Sequence, residues 1–560
     1  MSDFNPLNPL IVQGDHTILI EVDNPLYLET RNRLLRFAEL VKSPEHIHTY
    51  RLTPLSIWNA CASGVEVNEI TDTLTGYSKY KVPTHVLVEI NEFASRYGRL
   101  KIIKQGLDLL LVTDDRALSM EISLNRQVTP FLGKKLPDGS FAVHRDNRGR
   151  LKQALIKIGY PAEDLAGYTA GESLSFSLRH ETLEGLPFTL RPYQTESVNL
   201  FHAGGADKGG SGVIVLPCGA GKTIIGTAIM DKVQTSTLIL ATNVTAVRQW
   251  ISELLDKTTL TEDQIGEYSG RKKEIKPVTV STYQIMTYRK SREDEFKHME
   301  LFDERDWGLI IYDEVHMLPA PVFQATAGLQ AKRRLGLTAT LVREDGLEED
   351  VFALIGPKKA DIPWKELEHD GWIAKAICTE ILVPMPEDLR MHYAVSNART
   401  QFRIASENPD KLPVIKKLIA QFPEEQILVI GMYVSQVKSV GEALGVPVLT
   451  GATTQKKRDQ LFGDFRAGKI RILAVSKVAN FSVDLPDAGV AIQISGTFGS
   501  RQEEAQRLGR ILRPKKGLNQ AHFFSLVSHD TKEQEFAMKR QLFLCEQGYE
   551  YKIGYSSEIL

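Results

Sequence analysis

At 560 residues the chain is several times longer than a usual domain, so three or four domains, each with its own core, are expected. Its 42% hydrophobic and 25% charged residues exclude the collagen-like, disordered and membrane-spanning classes. Lys and Arg number 68 against 70 Asp and Glu, so the formal charge of −2 supplies no global field for a polyanion and any nucleic-acid surface must be local.

Residues 1–13 lack the basic start and long apolar run of a signal peptide, and no apolar run approaches the length of a membrane span, which predicts a cytoplasmic chain. Apolar runs at 10–13 and 17–22, around the turn signal Gly14-Asp15, predict two strands. Helical patterns follow at 54–62, 67–74 and 85–97, and Tyr97-Gly98-Arg99-Leu100 leads into another strand. This mixed α/β N-terminal region holds no motif that carries chemistry. The glycine-rich stretch 203–211 reads as a loop. Cys61, Cys218, Cys378 and Cys545 stand far apart without a C-x-x-C pair and read as reduced thiols, with neither a zinc site nor a disulfide framework.

From residue 186 onward, short apolar runs alternate with helical patterns, the signature of βαβ units around a mostly parallel sheet. Strands are expected at 212–216, 237–241, 278–281, 309–312 and 335–338. The clearest helix is 244–256, where Val247, Trp250, Ile251, Leu254 and Leu255 recur at helical spacing. A second set of strands, 427–430, 470–475 and 491–494, comes with helices at 456–466 and 502–510. Two tandem α/β lobes follow from this reading.

Leu216-Pro217-Cys218-Gly219-Ala220-Gly221-Lys222-Thr223 lies between a predicted strand and a predicted helix, the context of a phosphate-binding loop. Its small residues let backbone N–H groups converge on phosphates, the helix start adds its positive dipole end, Lys222 neutralises charge and Thr223 can ligate magnesium. ATP and Mg2+ are therefore the expected ligands. A strand running into Asp313-Glu314-Val315-His316 sets two carboxylates at the sheet edge, where Asp313 would hold the ion and Glu314 would orient or deprotonate the attacking water. Gln506-Arg507-Leu508-Gly509-Arg510-Ile511-Leu512-Arg513 puts arginines three residues apart on one helix face; Arg510 and Arg513, supported by Gln506 and Arg507, are candidate arginine fingers for the γ-phosphate. Arg191 and Gln194 in Leu190-Arg191-Pro192-Tyr193-Gln194 form a candidate adenine-side clamp. Thr338-Ala339-Thr340, after a predicted strand, is a candidate coupling element; alone it would be an ordinary strand-end turn.

The set resembles the superfamily-two helicases, and its wording is similar to that of the XPB-type DNA repair helicases. The similarity is carried by 216–223, by Asp313-Glu314-Val315-His316, by Arg343-Glu344-Asp345 beyond Thr340, by 494–513 and, in the N-terminal region, by Leu52-Thr53-Pro54-Leu55-Ser56 and Tyr97-Gly98-Arg99-Leu100. The resemblance implies RecA-like lobes at 186–360 and 361–540, preceded by an accessory domain at 1–140 and a linker or small DNA-facing domain at 141–185, and followed by a tail at 541–560. It implies a thumb near 387–409, with Arg390, Tyr393, Arg399 and Arg403. It further implies a DNA-dependent ATPase that unwinds 3′ to 5′ or translocates on duplex in nucleotide excision repair, with DNA and a nuclease as partners. His316, Thr338, Ala339, Thr340, Arg343, Glu344 and Asp345 would then couple ATP to DNA. The competing readings are an RNA helicase on the same motor, since such lobes grip mainly phosphates, and a non-hydrolysing DNA-binding scaffold.

Overall fold

The structure, a computed structural model, describes residues 4–559 except 35, 43–45, 107, 145–146, 206–208, 218, 271, 290–296, 303, 320, 323–331, 340–347, 363, 477–487, 497–507, 509–518, 547–548 and 550. The chain opens with β1 (Leu10–Val12), β2 (Thr17–Glu21), β3 (Glu39–Lys42) and β4 (Ile47–Arg51), an antiparallel sheet in the order β1-β2-β4-β3. Helices Pro54–Ala62, Val67–Tyr77 and Thr84–Arg96 follow. The first starts at a capping box, in which Thr53 Oγ1 accepts from the Ser56 N–H at 3.1 Å and Ser56 Oγ accepts from the Thr53 N–H at 3.0 Å.

A second small sheet is built from β5 (Leu100–Gln105), β6 (Asp108–Val112), β7 (Phe141–Val143) and β8 (Ala162–Asp164), in the order β7-β6-β5-β8. It is tied to the next sheet by buried charge. Asp164 accepts from Arg148 at 2.6 and 3.0 Å and from Lys152 at 3.1 Å. The Tyr168 ring lies 5.4 Å from the guanidinium of Arg148 and 5.4 Å from that of Arg334. Each cation thus meets a carboxylate, a carbonyl or a π-face, as buried charge requires.

The first large sheet contains β9 (Ser211–Val215), β10 (Thr237–Ala241), β11 (Ile265–Tyr268), β12 (Val278–Thr282), β13 (Leu309–Asp313), β14 (Arg333–Thr338) and β15 (Lys358–Asp361), ordered β11-β12-β10-β13-β14-β9-β15. The second contains β16 (Lys375–Val383), β17 (Ile427–Gly431), β18 (Val448–Leu449), β19 (Ile472–Ser476), β20 (Val490–Gln493), β21 (Gln520–Ser528) and β22 (Tyr551–Tyr555), ordered β18-β19-β17-β20-β21-β16-β22. Every pairing in both sheets is parallel. Numbered in chain order within its own sheet, each runs third, fourth, second, fifth, sixth, first, seventh. The architecture is therefore α/β, with two tandem RecA-like lobes of one topology.

All five strands expected in the first lobe form, as do the three expected in the second. The edge strands β11, β15, β18 and β22 were not expected, nor were β16 and β21. Of the edge strands, β18 spans two residues, β22 leaves Ile553 exposed and β15 is Lys358-Lys359-Ala360-Asp361, so their apolar signal is weak. The helix expected at 502–510 lies outside the described residues apart from Leu508. Helices Glu387–Val395 and Ala398–Ser406 occupy 387–409. The chain divides into two compact units, one of Met1–Leu216 and Gly221–Ile362, the other of Pro217–Ala220 and Pro363–Leu560. Trp58 and Ile156, from the N-terminal region, pack into the first lobe's core beside Val213, Leu238 and Ile310. Among the described residues no helix is long and apolar enough to cross a membrane.

Candidate active site

Strand β9 ends at Val215 and helix Lys222–Val233 begins seven residues later, with the glycine-containing loop between them. Gly219 has φ +82° and Gly221 φ +87°, left-handed conformations that glycine adopts without a Cβ clash. Gly221 is also held by space, since a Cβ there would stand 2.5 Å from Gln194 Nε2. Gln194 is buried at the start of helix Pro192–His202, and its Oε1 accepts from the Arg191 N–H at 3.0 Å. Arg191 in turn reaches the Tyr193 hydroxyl at 3.2 Å. The clamp residues and the end of the glycine loop are therefore neighbours. At the loop's base the Leu216 N–H donates to the Thr338 carbonyl at 3.0 Å, joining the end of β9 to the end of β14. Pro217 and Ala220 are buried, and Cys218 lies outside the described residues.

The adjacent strand β13 delivers the carboxylates. Lys222 Nζ donates to Glu314 Oε1, although 92 residues separate them. Glu314 has φ +50°, costly for a residue with a Cβ. Its carboxylate accepts from the Ala339 backbone N–H and lies 3.5 Å from His316 Nδ1. His316, buried, shares a 2.7 Å hydrogen bond with Thr338 Oγ1. Asp313 Oδ2 accepts from the Trp250 indole N–H at 3.0 Å, and the Asp313 carbonyl accepts from the Tyr283 hydroxyl at 2.9 Å. Thr223 is the second residue of the glycine-loop helix, and its carbonyl accepts from the Thr227 hydroxyl at 2.9 Å.

Two carboxylates side by side cannot both ionise at ordinary cost. Burial, then the charge of Glu314, pushes Asp313 up to about 6. Burial works against Glu314 as well, but Lys222, His316 and hydrogen bonds to Lys222 and the Ala339 N–H hold it below its ordinary value. One corner thus holds a carboxylate kept ionised by its neighbours, Glu314, beside a second, Asp313, whose charge burial disfavours. The Thr223 hydroxyl and Asp313 carboxylate are hard oxygen donors of the kind magnesium prefers, and the two positive-φ glycines leave a backbone cradle of the kind phosphate occupies. The residues fit a magnesium–nucleotide.

Arg191, Gln194, Leu216, Gly221, Lys222, Glu314, His316, Thr338 and Ala339 are thus linked through successive contacts, and Asp313 is beside them in the chain. Thr340, Arg343, Glu344, Asp345, Gln506, Arg510 and Arg513 lie outside the described residues. Sequence reasoning missed Trp250 and Tyr283. Trp250 reads as one member of an apolar helix face, and the available signal was that a buried indole N–H needs an acceptor.

Three family models match the chain. Residues 187–343 match the type III restriction enzyme res subunit, residues 367–558 the ERCC3/RAD25/XPB C-terminal helicase, and residues 10–137 the helicase conserved C-terminal domain. The DNA 3′-5′ helicase XPB of Mycobacterium tuberculosis is 53% identical over 553 residues, covering 99% of this chain and 98% of that one. The chain belongs to the XPB helicase family. The Kineococcus radiotolerans DNA 3′-5′ helicase XPB is 52% identical, covering 98% and 97%. The XPB subunit of the general transcription and DNA repair factor IIH of Danio rerio is 32% identical, covering 97% and 79%. Use of ATP follows from membership of a helicase family.

Proposed function

We infer that this XPB-family chain is an ATP-dependent DNA helicase of 3′–5′ polarity that acts in DNA repair, with hydrolysis at the carboxyl edge of the first lobe. The observation that carries the reading is Lys222, at the head of the glycine-loop helix, lying against Glu314 with Asp313 beside it. Polarity and nucleic acid come from the relatives, two of which are named DNA 3′-5′ helicase XPB. The RNA-helicase and scaffold readings are not favoured: the relatives are DNA helicases, and the lysine and both carboxylates are in place.

In this mechanism the loop N–H groups from Gly219 to Lys222 receive phosphate oxygens, while Arg191 and Gln194 hold the base side. Asp313 and the Thr223 hydroxyl would hold a magnesium ion, which when bound would supply positive charge at the phosphates. Lys222 exchanges Glu314 for a γ-phosphate oxygen. Glu314 keeps its burial but loses that ammonium, so its pKa rises and it becomes a stronger base for the proton of the attacking water. His316, between Glu314 and Thr338, relays the state of the site to 338–340 and on to Arg343, Glu344 and Asp345, which act on DNA. Gln506, Arg510 and Arg513 are proposed to assist hydrolysis on their sequence pattern alone, and the helices at 387–409 are proposed as the thumb.

The test is ATP turnover with duplex DNA, single-stranded DNA and RNA in parallel at one salt concentration, together with unwinding of forks tailed 3′ or 5′. DNA-stimulated turnover and unwinding from the 3′ tail are expected. Equal stimulation by RNA would support the RNA reading, and absence of turnover the scaffold.

A further inference from the structure

Asp313 is held by a side chain to which the ATP-site reading gives no role. Trp250 lies midway along helix Val244–Lys257, whose start is capped by Asn243 Oδ1 accepting from the N–H groups of Thr245 at 2.9 Å and Ala246 at 3.1 Å. The indole is 1% exposed, and its N–H points at Asp313 Oδ2, 3.0 Å away and 63 residues distant in sequence. On its other side the ring meets the glycine-loop helix at Gly226, where a Cβ would stand 2.6 Å from Trp250 Cη2 and 3.3 Å from Cζ3. Gly226 is one helical turn beyond Lys222, on the same face. One ring therefore packs on the helix that carries Lys222 and Thr223 while its N–H fixes the carboxylate of Asp313.

The chemistry of the donor matters. A lysine or arginine in this position would neutralise the carboxylate and compete with a metal. An indole N–H orients the carboxylate plane and leaves its charge for a cation. The Tyr283 hydroxyl holds the same residue through its backbone carbonyl at 2.9 Å, so Asp313 is fixed at main chain and side chain by two different elements. We propose that Trp250 is a positioning residue for the metal-binding carboxylate of this site, setting divalent-cation affinity through its hydrogen bond to Asp313 and its contact at Gly226.

The proposal rests on the ATP-site reading, and the experiment separates the two. Manganese binding in the presence of ADP is followed by the electron paramagnetic resonance of free Mn2+, for the full chain and for Trp250→Phe, which keeps a ring and removes the donor. ADP affinity without metal is measured alongside, as is the magnesium dependence of ATP turnover. Trp250→Phe is expected to weaken Mn2+ binding roughly 10–100-fold, the usual cost of losing an outer partner of a metal ligand. The half-saturating magnesium concentration should rise in parallel, while metal-free ADP affinity stays unchanged. Wild-type Mn2+ affinity in the variant would overturn the proposal, and so would an equal loss of metal-free ADP binding, which marks a merely structural residue. If the unaltered chain failed to bind Mn2+ with ADP, the ATP-site reading itself would fall. Should Trp250→Phe not fold, Gly226→Ala carries the test, since its Cβ displaces the indole while keeping the N–H. It should weaken Mn2+ binding in the same direction, and unchanged affinity there would also overturn the proposal.

Discussion

The two large sheets share one strand order, and each has a lysine–glutamate pair at the corner where its fifth and sixth strands end, yet the pairs are built to opposite purposes. In the first lobe Lys222 and Glu314 keep 12% and 15% of their side chains exposed. In the second, Lys411 and Glu533 are 2% and 0% exposed. Lys411 Nζ lies 2.8 and 3.0 Å from the two Glu533 oxygens and also donates to the carbonyls of Ile494 at 3.0 Å and Ser406 at 3.3 Å. Glu533 accepts the Ser528 N–H at 2.9 Å as well. A pair so enclosed is committed to its partners, whereas the more open pair is the one proposed to hand its ammonium to a phosphate. The loop after the first strand differs in the same sense, being glycine-rich and ending in Lys222-Thr223 in one lobe and Pro384-Met385-Pro386 in the other. Topology supplies the corner, and local side chains decide whether it serves stability or chemistry.

That contrast can be broken by substitution. The largest effect is expected from Glu314→Gln, which removes the base: turnover should fall by on the order of 10²–10⁴ while nucleotide binding persists, read by steady-state kinetics and a fluorescent-nucleotide titration. Next, Lys222→Ala should lower turnover by on the order of 10²–10³ and weaken nucleotide binding, with a loss of melting temperature smaller than that of Lys411→Met because the pair is partly open to solvent. Lys411→Met is the mirror experiment. It leaves a buried carboxylate without its cation and should cost about 3–5 kcal/mol in the unfolding of the second lobe, while the folded protein binds nucleotide as before. A melting-temperature loss in Lys222→Ala as large as that in Lys411→Met would erase the distinction.

The smallest expected effect is on pH dependence. Burial holds the Lys411 ammonium below its ordinary pKa despite the pull of Glu533. From the folded value up to about 10.4 the unfolded chain therefore carries more protons, and this group makes stability rise with pH. Denaturant titrations at increasing alkaline pH should show that rise in the wild type and lack it in Lys411→Met. Glu314 acts at the acid end with its pKa lowered, so its pairing stabilises the fold above the unfolded value of about 4.3 and is lost as pH falls through the folded value.

What the sequence determined by itself was whatever is written in consecutive residues. The apolar runs of β9, β10, β12, β13 and β14 are buried on both faces and read as strands, and the glycine loop and Asp313-Glu314 sit where such strands end, so the corner proposed as the ATP site was legible as a strand-end corner. The short or weakly apolar edge strands β11, β15, β18 and β22 were not, because a parallel neighbour comes from a distant part of the chain and leaves no local turn signal. Tertiary structure alone decided that Gln194 would fill the space beside Gly221, that Trp250 would give its N–H to Asp313, and that Lys411 would meet Glu533 across 122 residues. A buried polar group must find its partner wherever the fold brings one, and only the packed structure says which.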